Sequence, residues 1–229
     1  MVTAIKGISL IDYPGKVAMV IYLNRCNFRC PFCHNGHLVL DRHDNTMGMT
    51  GMLEKVRARR DFIDGVVISG GEPTLHPNLN EMFAAIKRLD LAVKLDTNGY
   101  RPHVLRKLLD SGNIDFVAMD IKTSPAKYSR AAGVTIDTGR IIESIGLIRD
   151  AGIGHEFRTT CVPTLVDEKD IDQISKLAGR SSSLTLQQFC PDNTLDASYS
   201  TIQPYSKEVL QSFVEIARRN TASCRLIGL

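Results

Sequence analysis

The sequence predicts an α/β fold in which parallel strands are joined by crossover helices. Two observations carry that expectation. Short apolar runs of strand character alternate with amphipathic stretches of helical period, and the polar residues with chemical potential fall at the ends of the strand-like runs. In chain order, core strands are expected near 17–24, 66–69, 92–96, 116–120, 155–160 and 184–189, with a short last one near 224–228. Helices near 50–61, 78–90, 102–111, 138–151, 168–178 and 205–219 fill the intervals. Leu79, Met82, Phe83, Ile86 and Leu89 recur on one helical face. Val209, Leu210, Phe213, Val214 and Ala217 do the same after Pro204, a residue type suited to a helix start. Both stripes read as core contacts. No repeat, low-complexity segment or linker interrupts the pattern, so residues 1–229 are expected to form a single domain.

A chain of 229 residues can bury a substantial core without covalent staples. Its 28 Lys and Arg against 25 Asp and Glu give a net charge of +3, a balance that suggests neither a nucleic-acid surface nor a membrane patch. No apolar run approaches the roughly 18 residues that span a bilayer, and residues 1–16 lack a basic segment leading into a long apolar one. A cytoplasmic protein is expected. The 6 cysteines do not read as a disulfide framework, because half of them crowd into one loop.

That loop is the most informative stretch of the chain. In Asn24-Arg25-Cys26-Asn27-Phe28-Arg29-Cys30-Pro31-Phe32-Cys33-His34-Asn35, three cysteines stand in a Cys-x3-Cys-x2-Cys spacing just past an apolar strand. Three thiolates can hold three irons of a cubane cluster that normally takes four cysteines, which leaves one iron open to an outside ligand. The spacing also allows a structural zinc knuckle on Cys26, Cys30, Cys33 and either His34 or His37. No second Cys-x2-Cys exists to complete the usual paired knuckle. Two further strand ends bear on the choice. Val66-Val67-Ile68-Ser69-Gly70-Gly71-Glu72-Pro73 runs an apolar strand into two glycines, whose bare backbone permits close approach, and a stiffening proline. Asp96-Thr97-Asn98-Gly99 and Met119-Asp120-Ile121-Lys122 place carboxylates and an ammonium at the next two strand ends. Taken alone, either would pass for a solvated turn.

The triad spacing, the aromatic Phe32 before the third cysteine and the Gly-Gly-Glu-Pro strand end together resemble the radical S-adenosylmethionine (SAM) superfamily. Its partial (β/α)6 barrel matches the six strand-helix units, with a short C-terminal strand added. Thr97-Asn98-Gly99 and Asp120-Ile121-Lys122 resemble motifs of the glycyl-radical-enzyme activases within it. The likeness extends over Ile11-Asp12-Tyr13-Pro14-Gly15-Lys16, Cys33-His34-Asn35, Phe157-Arg158-Thr159-Thr160, Leu186-Gln187-Gln188-Phe189 and Asn193-Thr194-Leu195-Asp196. Within that group the sequence is most similar to the activating proteins of anaerobic ribonucleoside-triphosphate reductases.

The resemblance implies a [4Fe-4S] cluster on Cys26, Cys30 and Cys33, with SAM chelating the unique iron. Phe32 is implied beside the adenine, flanked by His34 and Asn35. Gly70, Gly71 and Glu72 are implied at the methionine end, and Asp120, Ile121 and Lys122 around the cofactor, where Lys122 supplies a point charge for a carboxylate. Arg158 and Gln188 are implied as carboxylate and ribose contacts. Asp96, Thr97 and the backbone near Ala118 coincide with a monovalent-cation site of a related activase. The implied chemistry is one-electron cleavage of SAM to methionine and a 5′-deoxyadenosyl radical, which takes the α-hydrogen of a glycine on a partner, here anaerobic ribonucleotide reductase. A flavodoxin or ferredoxin-type donor would supply the electron.

Other readings stay open at this point. The same cofactor chemistry could serve a small molecule or another peptide modification, and a non-catalytic zinc or iron-sulfur protein would need the triad alone. Cys161 stands where the activase pattern has an aliphatic residue, and Cys190 closes the next strand. As small hydrophobes they read as buried, although a redox pair or a second metal is the sharper alternative. Cys224 is expected at the opposite end. His43, His76, His103 and His155 read as surface or cap residues, with His155 beside Glu156 able to turn inward. Lys55, Arg57, Arg59 and Arg60 read as a wet helix face, with a docking patch for an acidic electron donor as the alternative.

Overall fold

The structure, a computed structural model, describes residues 2–40 and 46–229, so the expectation for His43 lies outside the described residues. The chain groups into two compact units. The first contains Met1–Asn27, His37–Thr97 and His103–Ala118; the second contains Phe28–Gly36, Asn98–Pro102 and Met119–Leu229.

In the first unit the strand order is β1 (Val2–Ser9), β2 (Ala18–Leu23), β3 (Gly65–Gly70), β4 (Ala92–Thr97) and the beginning of β5 (Phe116–Asp120). β2, β3 and β4 run parallel, with Val20 opposite Val67 and Val67 opposite Lys94. α1 (Gly36–Val39), α2 (Met49–Arg57), α3 (Leu79–Lys87) and α4 (Pro102–Asp110) occur between the strands. Leu79, Met82, Phe83 and Ile86 of α3 are buried as expected, whereas Leu89 lies past the helix end. β1 corrects the all-parallel expectation, because it pairs antiparallel with β2, Ile5 opposite Ile21. The Ile11–Lys16 motif is the turn between these two strands. Tyr13 is buried against Phe116 with ring centroids 5.8 Å apart, and the Asp12 carboxylate accepts from Ser9 Oγ and Lys6 Nζ.

In the second unit the order is the end of β5, then β6 (Gly154–Cys161), β7 (Ser183–Gln188) and β8 (Ser223–Ile227). β6, β7 and β8 are parallel, with Phe157 opposite Leu184 and Leu184 opposite Cys224. The helices are α5 (Tyr128–Ala132), which the sequence pattern missed, α6 (Thr138–Asp150), α7 (Glu168–Ala178) and α8 (Lys207–Arg218). Their starts follow from capping. Asp137, Asp167 and Ser206 each turn a side-chain oxygen onto backbone N–H groups of the first turn, and Asp170 answers Asp167 in a reciprocal capping box.

The fold class is therefore the expected mixed α/β, with a partial barrel's alternation of strands and helices. Among the described residues no helix is long and apolar enough to cross a membrane.

Candidate functional site

Each unit carries a set of strand-end residues. In the first, the β3 exit lies against the start of the cysteine loop. Gly70 has φ +119°, and a Cβ there would stand 2.2 Å from the Leu23 carbonyl oxygen. At Gly71 a Cβ would stand 1.9 Å from the Arg25 carbonyl oxygen. The paired glycines thus admit the protein's own backbone, the segment that leads to Cys26, and two hydrogen bonds seal the approach: Gly71 N–H to Leu23 O at 2.8 Å and Glu72 N–H to Arg25 O at 2.7 Å. His76, expected as a surface or cap residue, donates to the Asn24 carbonyl at 2.9 Å and holds the same segment.

Glu72 is fully buried, and its Oε1 accepts from the Thr74 hydroxyl, from Thr74 N–H at 3.1 Å and from the Thr97 hydroxyl at 2.7 Å. Its carboxylate ties the β3 end to the β4 end. One strand over, Asp96 accepts from Lys94 Nζ at 2.6 Å and from Ser69 Oγ at 3.1 Å.

The second unit holds the rest of the cysteine loop. Cys33 N–H donates to Cys30 O at 3.0 Å, and Arg29 N–H donates to Ala132 O at 2.7 Å, which seats the loop on the end of α5. Gly133 caps that helix at φ +66°, where a Cβ would meet the Arg29 carbonyl oxygen at 2.0 Å. On the loop's other side, Asp196 N–H donates to Pro31 O at 2.9 Å and His34 Nε2 to the Cys190 carbonyl at 2.8 Å. The Asn193–Asp196 motif is thereby explained: it braces the cysteine loop.

At the β5 end, Asp120 lies between two cations, Arg158 Nε at 2.8 Å and Lys122 Nζ at 2.9 Å. Burial opposes ionisation of Asp120, but Arg158 and then Lys122 outweigh it and hold the carboxyl well below the usual range. For Lys122, burial works against the charge, while Asp120 and then Cys30 raise its pKa and keep the ammonium protonated. Lys122 Nζ lies 6.0 Å from the Phe32 ring centroid. Tyr128, which the sequence reading passed over, stands beneath this group: its hydroxyl donates to Asp120 O and accepts from Lys122 N–H, both at 3.4 Å. The loop after Lys122 is fixed by Ser124 and Lys127, which bond to the capping carboxylates of α7. Ile121 is buried, with its N–H on Arg158 O and its carbonyl accepting from the Thr159 hydroxyl, so it positions its neighbours. Gln188 donates from Nε2 to Tyr205 O at 2.8 Å and leaves its buried Oε1 without a partner.

The remaining cysteines and histidines are plainer. None of the six cysteines is in a disulfide; Cys161 and Cys224 are buried, and Cys190 is exposed. Burial pushes Cys30 up to about 11, against the pull of Lys122. His155 bonds Ser182 Oγ at 3.0 Å and lies edge-on to Phe157, a structural role. Among the described residues, no three Cys, His, Asp or Glu side chains already stand as a metal-holding group.

Thiols outside any disulfide on a braced loop, a β5 end with a carboxylate between two fixed cations, and a buried acceptor left open at the β7 end are features of an α/β protein that can hold a polar cofactor at the carboxyl ends of its strands. The chain belongs to the Radical SAM superfamily, whose pattern matches residues 20–179. It is 34% identical over 226 residues to a provisionally named glycyl-radical enzyme activating enzyme of Methanocaldococcus jannaschii, covering 96% of this chain and 92% of that one. It is 30% identical over 130 residues to the 7-carboxy-7-deazaguanine synthase of Neisseria meningitidis, covering 56% and 55%. Among solved structures, SuiB of Streptococcus suis bound to the precursor peptide SuiA superposes with a TM-score of 0.67 at 18% identity, over 91% of this chain and 48% of that one. The chain thus spans about half the length of these last two.

The protein is a radical SAM enzyme, and the family implies a [4Fe-4S] cluster and SAM as cofactors. The residues fit both groups. Three thiols in the triad spacing, none of them in a disulfide, are a soft donor set suited to iron, and the orphaned Gln188 Oε1 is an acceptor that a sugar hydroxyl would satisfy.

Proposed function

We propose that the protein cleaves SAM reductively and installs a glycyl radical on a partner enzyme, anaerobic ribonucleotide reductase. The observation that carries the partner class is the end-to-end likeness to an activating enzyme, which extends well beyond the cofactor motifs. In this reading Cys26, Cys30 and Cys33 hold the cluster, and the bound cofactors supply the 5′-deoxyadenosyl radical that takes the glycine hydrogen. The chain's own residues bind and orient. Lys122 and Arg158, fixed by Asp120, present positive charge to the SAM carboxylate. Phe32, His34 and Asn35 would border the adenine, Gln188 Oε1 would accept from the ribose, and the backbone of Gly70 and Gly71 would receive the methionine amino group. Glu72 acts through the strand ends it ties together. The electron arrives from a flavodoxin or ferredoxin-type donor in the cytoplasm, and neither nucleic acid nor membrane takes part.

The test is anaerobic: reconstituted, reduced protein with SAM, 5′-deoxyadenosine followed by chromatography, and a candidate reductase watched by electron paramagnetic resonance. A glycyl doublet on the reductase is expected. Deoxyadenosine without a doublet would replace the activase reading with the second one, a radical SAM enzyme of a small molecule, which the likeness to 7-carboxy-7-deazaguanine synthase favours. An intact cluster that yields no deoxyadenosine would overturn both.

A further inference from the structure

We propose that the Lys94 ammonium is the built-in cation of the β4 strand end, so that the protein takes up no potassium or sodium ion at Asp96. The resemblance to the activases places a monovalent cation on Asp96, Thr97 and the backbone near Ala118, and the side chains do not fit that role. Asp96 Oδ1 is held by Lys94 Nζ at 2.6 Å, and Oδ2 accepts from Ser69 Oγ at 3.1 Å. Thr97 gives its hydroxyl proton to Glu72 Oε1 at 2.7 Å. The carboxylate oxygens that would anchor a hard cation are engaged within the fold, the nearer one by a full positive charge.

Lys94 is placed for this by the strand. Two residues before Asp96 on β4, it shares the same face, because side chains alternate along a strand. Its side chain is 1% exposed, whereas that of Asp96 is 14% exposed, so the ammonium approaches the carboxylate from inside. Nζ also lies 5.9 Å from the Phe116 ring centroid, a second favourable contact for positive charge. An ammonium carries the charge of a potassium ion, and this one is covalently tethered. The pair sums to zero, and an added metal cation would face a like charge across a carboxylate already neutralised.

The inference rests on the SAM reading only for where its consequence is felt, and the experiment separates the two. SAM affinity of the reconstituted protein is measured by isothermal titration in potassium chloride and in tetramethylammonium chloride at equal ionic strength and pH 8. Thermal unfolding of the cluster-free protein is followed in the same two salts. For the natural chain, equal affinity and equal unfolding temperature are expected. K94M keeps the stem and removes the charge; its SAM affinity should fall about tenfold in tetramethylammonium and return with potassium. Natural protein that binds SAM about tenfold better in potassium would overturn the proposal, as would K94M that is indifferent to the salt. Should K94M fail to fold, the comparison on the natural chain still decides. If SAM binds in neither salt, the cofactor reading fails, and the unfolding temperatures alone judge Lys94: a rise in potassium for the natural protein overturns the proposal, and none upholds it.

Discussion

At the residue scale the site turns on one carboxylate. Asp120 neutralises part of two cations that burial would otherwise make costly, Arg158 and Lys122. Replacing it by asparagine leaves two like charges facing each other with no anion between them. D120N should lose about 1–3 kcal/mol of stability, a figure at the low end for a broken ion pair because all three side chains keep some solvent contact. It should also weaken SAM binding, since Lys122 and Arg158 lose the partner that aims them; urea unfolding and SAM titration check the two halves, and unchanged values in both would remove Asp120 from its organising role. Thiol chemistry sorts the cysteines outside the triad. Burial pushes Cys161 up to about 12 and Cys224 to about 11, whereas Cys190 is exposed. Iodoacetamide at pH 8 on the folded, reduced protein should therefore label Cys190 and spare the other two, as read by peptide mass spectrometry; labelling of Cys161 at the Cys190 rate would contradict the burial. Part of this was legible in the sequence, because Asp120 closes an apolar strand-like run and Lys122 follows in the turn just past it. Tyr128 and Gly133 were not, since Tyr128 acts on the backbone of the turn after β5 and Gly133 on the Arg29 carbonyl, contacts that leave no periodic pattern. Glu72 showed a carboxylate but not its direction, and the structure turns it inward onto two threonines.

At the scale of elements, the alternation of strands and helices was readable because β2, β3 and β5 contain runs of consecutive buried apolar residues. β1 was not. Along Val2–Ser9 the outward positions are Ala4, Lys6 and Ile8, while Thr3 and Gly7 face inward, so burial alternates and hydrophobicity does not. α5 was equally hidden, being only Tyr128–Ala132, too short for a 3.6-residue period to declare itself. Yet α5 supports the cysteine loop, and its cap gives a sharp expectation. At Gly133 a side chain would be forced into a left-handed backbone at φ +66° and pressed against the Arg29 carbonyl. G133A should cost about 1–3 kcal/mol and lower the iron retained after reconstitution, because the strain is relieved most directly by shifting the loop that bears Cys30 and Cys33. Full iron content with natural stability would show that the loop is held elsewhere.

At the scale of the whole molecule, the charge balance left little to read about partners, but the distribution of shifted groups sets a pH window for stability. On the acid side, Asp12 and Asp120 are held below the carboxylate range, and Asp167 is lowered to about 2 chiefly by Lys127. A depressed pKa in the folded state means that the unfolded chain binds protons first as pH falls below about 4. The stability these groups confer is therefore fully present above that pH and drains away as acid approaches the folded values. The alkaline side runs on raised groups. Tyr13 is pushed up to about 12 by burial, with Asp115 adding to it, and Cys161 and Cys224 are raised by burial as well. Here the unfolded chain ionises first, the thiols from about 8.5 and the phenol from about 10, so stability falls as pH rises from those values toward the folded ones, by up to about 1.4 kcal/mol per pH unit for each fully buried group. The urea midpoint of the reduced, cluster-free protein should be flat between about pH 5 and 8 and decline on both sides. C161V, which keeps a buried group of similar size without an ionisable thiol, should flatten part of the alkaline decline and leave the acid one unchanged. A natural protein whose midpoint held steady to pH 10 would mean that these thiols open to water well before the fold is lost, and the core around β6 and β8 would then be looser than its burial implies.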